Sequence, residues 1–382
     1  MTQPSTLASP PLTKLARTVL VSVLICCILG LGLSVITLWQ QRSALSLAGL
    51  WRGQLTTTID TLLDDHTALR PFAITTWALT DYLLFRQGRT GVLVGEQGWL
   101  FSDEEFVSPQ ALEAASIEQG VGFVCALAAV TDVAETLAAA DIQLLLALLP
   151  AKARVYSNQL GRYDMPAAVT QRYEQWRRGL LEHNLHSPDL MTPLTTTSAS
   201  FLRTDTHWTP EGAEAVAVAL HSYATNEGLW QARNPSYVTT QQGSREHEGD
   251  LLAFLPLGVA RSLGPAADTL ALYQTQSGEA SSLGLFDDLT VDITLVGSSY
   301  SANPAWHFEG WLEQTFHTDV VNVATEGQGP LQPMLDYLSS NTFTDNPPKL
   351  VIWEIPERYL PVQDPSSQKS VNLPSCLLSS GN

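Results

Sequence analysis

The chain has 382 residues, 45% of them hydrophobic and 15% charged, which is enough for a membrane segment and one large or two smaller folded domains. With 20 basic against 38 acidic side chains, its formal net charge is −18. That balance excludes nucleic acid as a partner, because phosphate binding needs clustered Lys and Arg, and it leaves a polyanion only a local basic cleft.

Residues 1–18 are rich in Pro, Ser and Thr and read as a disordered cytoplasmic N-terminus. Residues 19–39, Val19 to Trp39, form an almost unbroken apolar run without a charge. At about 1.5 Å rise per residue, a helix of this length crosses a hydrocarbon core of about 30 Å. Lys14 and Arg17 precede the run, Trp39 marks its far interface, and Asp60, Asp64 and Asp65 lie beyond. The run reads as a single-pass inner-membrane anchor with everything after it exported. A cleaved signal peptide, ending near Ser46-Leu47-Ala48, is the alternative. Of the four cysteines, Cys26 and Cys27 lie inside the run. Cys125 and Cys376 would face an oxidising compartment, where a disulfide and two small apolar side chains are equally open readings. No cysteine spacing of metal type is present, and the motifs call for no cofactor.

Residues 40–90 read as a helical stalk. Gly91-Val92-Leu93-Val94-Gly95 and Trp99-Leu100-Phe101, around a Gly-containing turn, predict a hairpin. Helical spacing recurs over 126–140, 167–183 and 211–226. Apolar strands are expected at 142–149, 291–296, 320–323 and 350–355. Continuous apolar strands alternating with helices predict an α/β fold, a mostly parallel sheet with helices on both faces. Residues 228–290 carry Gly, Ser, Gln and Asn clusters and predict irregular structure or short strands. The last residues, 363–382, read as a loose tail.

In such sheets, sites form at the carboxyl ends of strands. One such end is Gly297-Ser298-Ser299-Tyr300-Ser301, a strand-to-helix turn that can expose a hydroxyl. Its plain alternative is a set of Ser caps. Asp205-Thr206-His207-Trp208 precedes a helix that should start at Pro210, capped by Thr209. Two residues apart in an extended segment, Asp205 and His207 share a face. Ser, His and Asp together make a nucleophile, its base and the acid that orients the base. Local loop hydrogen bonds are the rival, and a metal site a weaker one, since no further ligand stands at a supporting short spacing. Lys152, Arg154 and Arg358 sit at other strand ends and are candidates to line a cleft for an anionic sugar. Trp99, Trp208, Trp306 and Trp353 are candidates to stack on sugar rings, and Tyr300 joins Trp306 as a possible substrate contact. The remaining histidines, His247 among them, carry no readable signal.

Four motifs occur in order: Gly91 to Phe101, Asp205-Thr206-His207-Trp208-Thr209, Gly297 to Ser301, and Trp353-Glu354-Ile355-Pro356-Glu357-Arg358. In this the chain resembles the bacterial AlgJ/AlgX family of alginate O-acetyltransferases, over about residues 91–360. The resemblance implies an SGNH-hydrolase-like domain at 91–362, with the Asp-x-His motif ahead of the Ser. It implies Ser299 as nucleophile, His207 as base and Asp205 as its orienting acid. AlgX-type relatives carry a C-terminal carbohydrate-binding module; here the chain stops soon after Arg358, which is the AlgJ pattern. The family further implies a periplasmic catalytic domain on the inner membrane, a polysaccharide acceptor such as alginate, and a membrane-bound O-acyltransferase as acetyl source. An acetyl-esterase with the same triad, or a non-catalytic polysaccharide-binding scaffold in an export complex, are the alternatives.

Overall fold

The structure, a computed structural model, describes residues 14–44, 54–66, 69–107, 119–231, 236–277 and 291–361. Two compact units divide it: residues 1–80 with 256–260, and residues 81–255 with 261–382.

The first unit is helical: α1 (Lys14–Gln40), α2 (Gln54–His66) and α3 (Leu69–Thr80). Val21–Gln40, with mean hydropathy 2.6, is long and apolar enough to cross a membrane. Val21, Leu24, Ile28, Leu31 and Val35 expose their side chains there. The helix already includes residues 14–18, expected within a disordered N-terminus, because nothing in that stretch breaks a helix.

In the second unit, a helical turn at Asp81–Phe85 precedes the expected hairpin, β1 (Val92–Val94) paired antiparallel with β2 (Leu100–Ser102). Then follow α4 (Gln119–Ala139) and β3 (Gln143–Leu149). The helix expected over 167–183 breaks at Gln171, leaving α5 as Arg172–Glu182. The next helix, α6 (Pro210–Asn226), has Thr209 as its N-cap. Residues 237–277 are more regular than the irregular structure or short strands expected over 228–290. Two long antiparallel strands, β4 (Tyr237–His247) and β5 (Asp268–Ser277), form a ribbon with a bulge between Gln241 and Gly243. Most β4 side chains are exposed. On β5 only Asp268 and Leu270 are buried, so neither strand carries a sustained buried face to impose a readable alternation.

The elements that build the site follow: β6 (Ile293–Val296), α7 (Ser299–Ala302), α8 (Phe308–Phe316), β7 (Val320–Asn322), α9 (Leu331–Leu338) and β8 (Leu350–Pro356). Four strands make one parallel sheet in the order β3-β8-β6-β7. Alternate side chains leave opposite faces of a strand. On one face Leu145, Ala147, Leu149, Ile293, Leu295, Leu350 and Ile352 meet α6 and α8. On the other, Leu144, Leu146, Leu148, Val296, Val351, Trp353 and Ile355 meet α4, α5 and α9. Each fully buried side chain contributes about 1.5–3 kcal/mol, so burial on both faces accounts for the continuous apolar runs. Helix α4 also passes as membrane-crossing by length and composition, but Phe123, Leu127, Val130, Val133 and Leu137 are buried in this core. Cys125 on α4 is disulfide-bonded; Cys376 and the expected 363–382 tail lie outside the described residues.

Sheet order sets what surrounds the end of β6. Its neighbour β8 pairs Val296 with Trp353, which brings Glu354 beside Gly297. A Cβ at Gly297 would stand 2.5 Å from Glu354 Oε2 and 2.9 Å from Ser301 Oγ. Gly297→Ala is expected to cost about 1–3 kcal/mol by overpacking, read as a lower denaturation midpoint. An unshifted midpoint would show that the turn yields freely.

Candidate active site

At the carboxyl end of β6 the chain turns through Gly297 and Ser298 into α7, whose first residue is Ser299. Ser298 caps that helix and is buried, while Ser299 is half-buried. Glu354 holds the turn from below. It accepts hydrogen bonds from Ser298 N (2.8 Å), from the Ser298 hydroxyl (3.0 Å) and from the Ser301 hydroxyl (3.1 Å).

The loop 204–208 arrives from the other side. His207 Nε2 stands 2.8 Å from Ser299 Oγ. His207 Nδ1 lies 2.6 Å from Asp205 Oδ1, which also accepts the His207 backbone N–H at 3.0 Å. The structure thus brings Ser299, His207 and Asp205 into one hydrogen-bonded line. Cross-links hold loop and helix in register. Tyr300 donates its hydroxyl to Thr206 O (2.6 Å), Trp208 Nε1 donates to Tyr300 O (3.2 Å), and Trp306 Nε1 donates to Ser299 O (3.2 Å). Trp306 lies nearly parallel to the His207 ring, 5.1 Å between centroids.

Burial alone would raise the Asp205 carboxyl. Hydrogen bonds from His207 and His247 outweigh it and hold the group below the ordinary carboxylate range, so Asp205 is ionised at neutral pH. Asp205, His207 and Asp250 place ligand-type atoms within 4.8 Å of one another. Hydrogen bonds within the loop already engage them: Asp205 accepts from His207, and the Asp250 carboxylate from Thr206 N (2.8 Å) and the Thr206 hydroxyl (2.6 Å).

The expected sugar-facing cations are placed differently. Lys152 is fully buried and donates to the carbonyls of Leu100 (2.6 Å), Arg203 (3.0 Å) and Asp205 (2.8 Å). A lysine has three donors, and here the backbone takes all of them. Arg154 grips Glu357 through Nε (2.9 Å) and Nη2 (2.6 Å), and the carbonyls of Val169 and Thr170. Arg358 packs its guanidinium over the rings of Tyr300 (5.7 Å) and Tyr359 (5.0 Å) and donates to the Tyr359 hydroxyl (3.2 Å). Tyr300, Trp208 and Trp306 are buried beside the His207–Ser299 pair, and Trp353 is buried on the opposite face of the sheet with α4, α5 and α9. Trp99 is partly buried, stacked on Tyr156 at 4.0 Å. Lys152 and Arg154 spend their donors on the fold, a commitment that strand-end position does not reveal, because an engaged donor and a free one look alike in sequence.

Sequence reasoning also missed three contributors: His247 and Asp250 beside Asp205, and Glu354 under Ser298. Only Glu354 left a signal, since a carboxylate inside an apolar strand needs buried partners.

Lys152→Met leaves three carbonyls without their donor and is expected to cost on the order of 3–5 kcal/mol, read by denaturant unfolding. Glu354 gives a pH signature. Burial pushes its carboxyl from 4.5 up to about 7, against the pull of the Ser298 and Ser301 hydrogen bonds and the Arg358 charge. The folded state thus binds this proton more tightly than the unfolded state. Its contribution is fully present below about 4.5 and is lost as pH rises to about 7. Glu354→Gln is expected to gain on the wild type by on the order of 2 kcal/mol across that window. Parallel stability curves for the two proteins would refute this.

Comparison with known proteins agrees with this architecture. The family described as SGNH hydrolase-like domain, acetyltransferase AlgX, matches residues 92–357. The probable alginate O-acetylase AlgJ of Azotobacter vinelandii is 39% identical over 342 residues, covering 86% of each chain. The alginate biosynthesis protein AlgX of Pseudomonas putida is 30% identical over 236 residues, covering 57% of this chain and 48% of that protein. The solved O-acetyltransferase domain of Pseudomonas putida AlgJ superposes with a TM-score of 0.65 at 38% identity, covering 74% of this chain and 96% of that one. The chain belongs to the AlgX-type SGNH hydrolase-like acetyltransferase family, and it is more similar to these AlgJ proteins than to the AlgX protein.

Proposed function

We propose that the protein O-acetylates an exported polysaccharide, alginate by the names of its relatives, through a covalent acetyl-serine on Ser299. The observation that carries this reading is the 2.8 Å contact between Ser299 Oγ and His207 Nε2, in line with the 2.6 Å contact from His207 Nδ1 to Asp205. The Asp205 carboxylate keeps the proton on Nδ1, which leaves the Nε2 lone pair for the Ser299 hydroxyl.

In the first step Ser299 Oγ attacks the acetyl carbonyl of the donor while its proton passes to His207 Nε2. The oxyanion forms beside the Ser299 N–H, which as the first of a helix has no partner within it. Collapse breaks the bond to the donor's leaving group, which departs with the proton from His207. In the second step a sugar hydroxyl gives its proton to His207 and attacks the acetyl carbon. Collapse frees Ser299 Oγ, which takes the proton back, and the acetyl group stays on the sugar. Asp205 balances the imidazolium in both steps. Trp306, flat against the His207 ring, helps keep out the water that would turn transfer into hydrolysis.

The apolar α1 supports a membrane anchor, while a periplasmic catalytic unit and a membrane-bound O-acyltransferase as acetyl source rest on the family resemblance. Ser299→Ala is expected to reduce polymer acetylation by roughly 10³-fold or more, with stability within about 0.5 kcal/mol of wild type. Unchanged acetyl content in that variant would defeat the reading. Acetate released from acetylated polymer, without transfer to bare polymer, would mark an esterase instead.

A further inference from the structure

His247 stands outside the Ser299–His207–Asp205 line, yet it holds the acid from the far side. Its Nε2 lies 2.8 Å from Asp205 Oδ2, the oxygen that His207 does not use. A carboxylate only accepts, so this nitrogen carries a proton. The Asp250 backbone N–H reaches the same oxygen at 3.1 Å. Together with the two donors from His207, four hydrogen bonds occupy the carboxylate. The His247 ring meets Trp306 edge-on at 5.6 Å, and Trp306 lies on His207 at 5.1 Å. Two imidazoles thus share one acid and one indole.

The backbone delivers His247 with little freedom. It ends β4, directly across from Asp268 on β5. Two residues on, a Cβ at Gly249 would fall 2.1 Å from Thr204 O and 2.5 Å from Asp205 N, so this segment lies hard against the Asp205 loop.

We propose that His247 is a positioning residue for acetyl transfer. Through its bond to Asp205 Oδ2 it fixes the rotation of the carboxylate, so that Oδ1 faces His207 Nδ1. It also draws off part of the negative charge that His207 experiences. Without it, a buried carboxylate oxygen loses its strongest donor, and the carboxylate turns to recover one. The inference rests on Ser299 being the nucleophile, and its test separates the two claims.

The full-length protein is treated with a fluorophosphonate probe. Labelling forms the Ser299 Oγ–P bond and breaks P–F; the serine proton passes to His207 and fluoride leaves. Wild type is expected to carry the label on Ser299 by mass spectrometry. An unlabelled Ser299 would count against the nucleophile, whatever His247 does. Given labelling, His247→Phe is expected to react roughly tenfold or more slowly, as loss of a supporting partner does elsewhere. His247→Gln keeps an N–H within reach and is expected to recover most of the rate. A second readout needs no reaction. The proton between His207 Nδ1 and Asp205 Oδ1 is expected far downfield in the proton NMR spectrum, shifted or broadened in His247→Phe and restored in His247→Gln. Should the Phe variant fail to fold by circular dichroism, His247→Asn, too short to reach Asp205, takes its place. Equal labelling rates with an unmoved downfield line would overturn the proposal. So would a slowed Phe variant that Gln fails to rescue, because that marks packing and not the hydrogen bond.

Discussion

An ionised carboxylate buried among aromatic rings is tolerable only while its oxygens are fully engaged, and the Asp205 carboxylate imposes that condition on the whole site. It is 3% exposed and accepts four hydrogen bonds. The loop that carries it is itself clamped. Lys152 holds the Asp205 carbonyl, Asp268 accepts from the backbone N–H groups of Arg203 and Thr204, and Asp250 accepts from Thr206. Few conformations of residues 203–207 satisfy all of these at once, and His207 inherits that rigidity.

The charge economy of the chain takes its shape from the same condition. Lys152, Arg154 and Arg172 do not project outward; they serve the interior. Arg172 meets Glu357 at 3.3 Å and the Glu105 carbonyl at 3.1 Å, while Glu105 accepts from Ala153 N at 2.7 Å and Glu357 from Ala151 N at 2.9 Å. The carboxyl ends of β3 and β8 are thereby bound together by ion pairs and backbone contacts. Removing one member leaves an opposite charge buried without compensation, which is why such networks are costly to break though weak as a source of stability.

Legibility followed burial. Strands β3, β6, β7 and β8 could be read because two covered faces demand continuous apolar residues, and the β1–β2 hairpin because its glycines mark the turn. Asp205 with His207 was legible as a local pair, and Ser299 as a hydroxyl at a strand end. The β4–β5 ribbon was not, since the side chains of β4 are mostly exposed and β5 buries only Asp268 and Leu270, too few to record a period. His247 was hidden for a related reason. Its contact with Asp205 spans 42 positions and closes only once that ribbon exists. Glu354 needed the sheet order, because only the pairing of β6 with β8 sets it under Ser298.

The ribbon has a mechanical consequence. One rung, His247 opposite Asp268, grips three successive residues: Asp268 takes Arg203 and Thr204, and His247 takes Asp205. Two antiparallel strands joined rung by rung transmit torque along their length. Any force that tilts the exposed strands therefore arrives at the acid behind the imidazole, with no side chain of the ribbon entering the reaction itself.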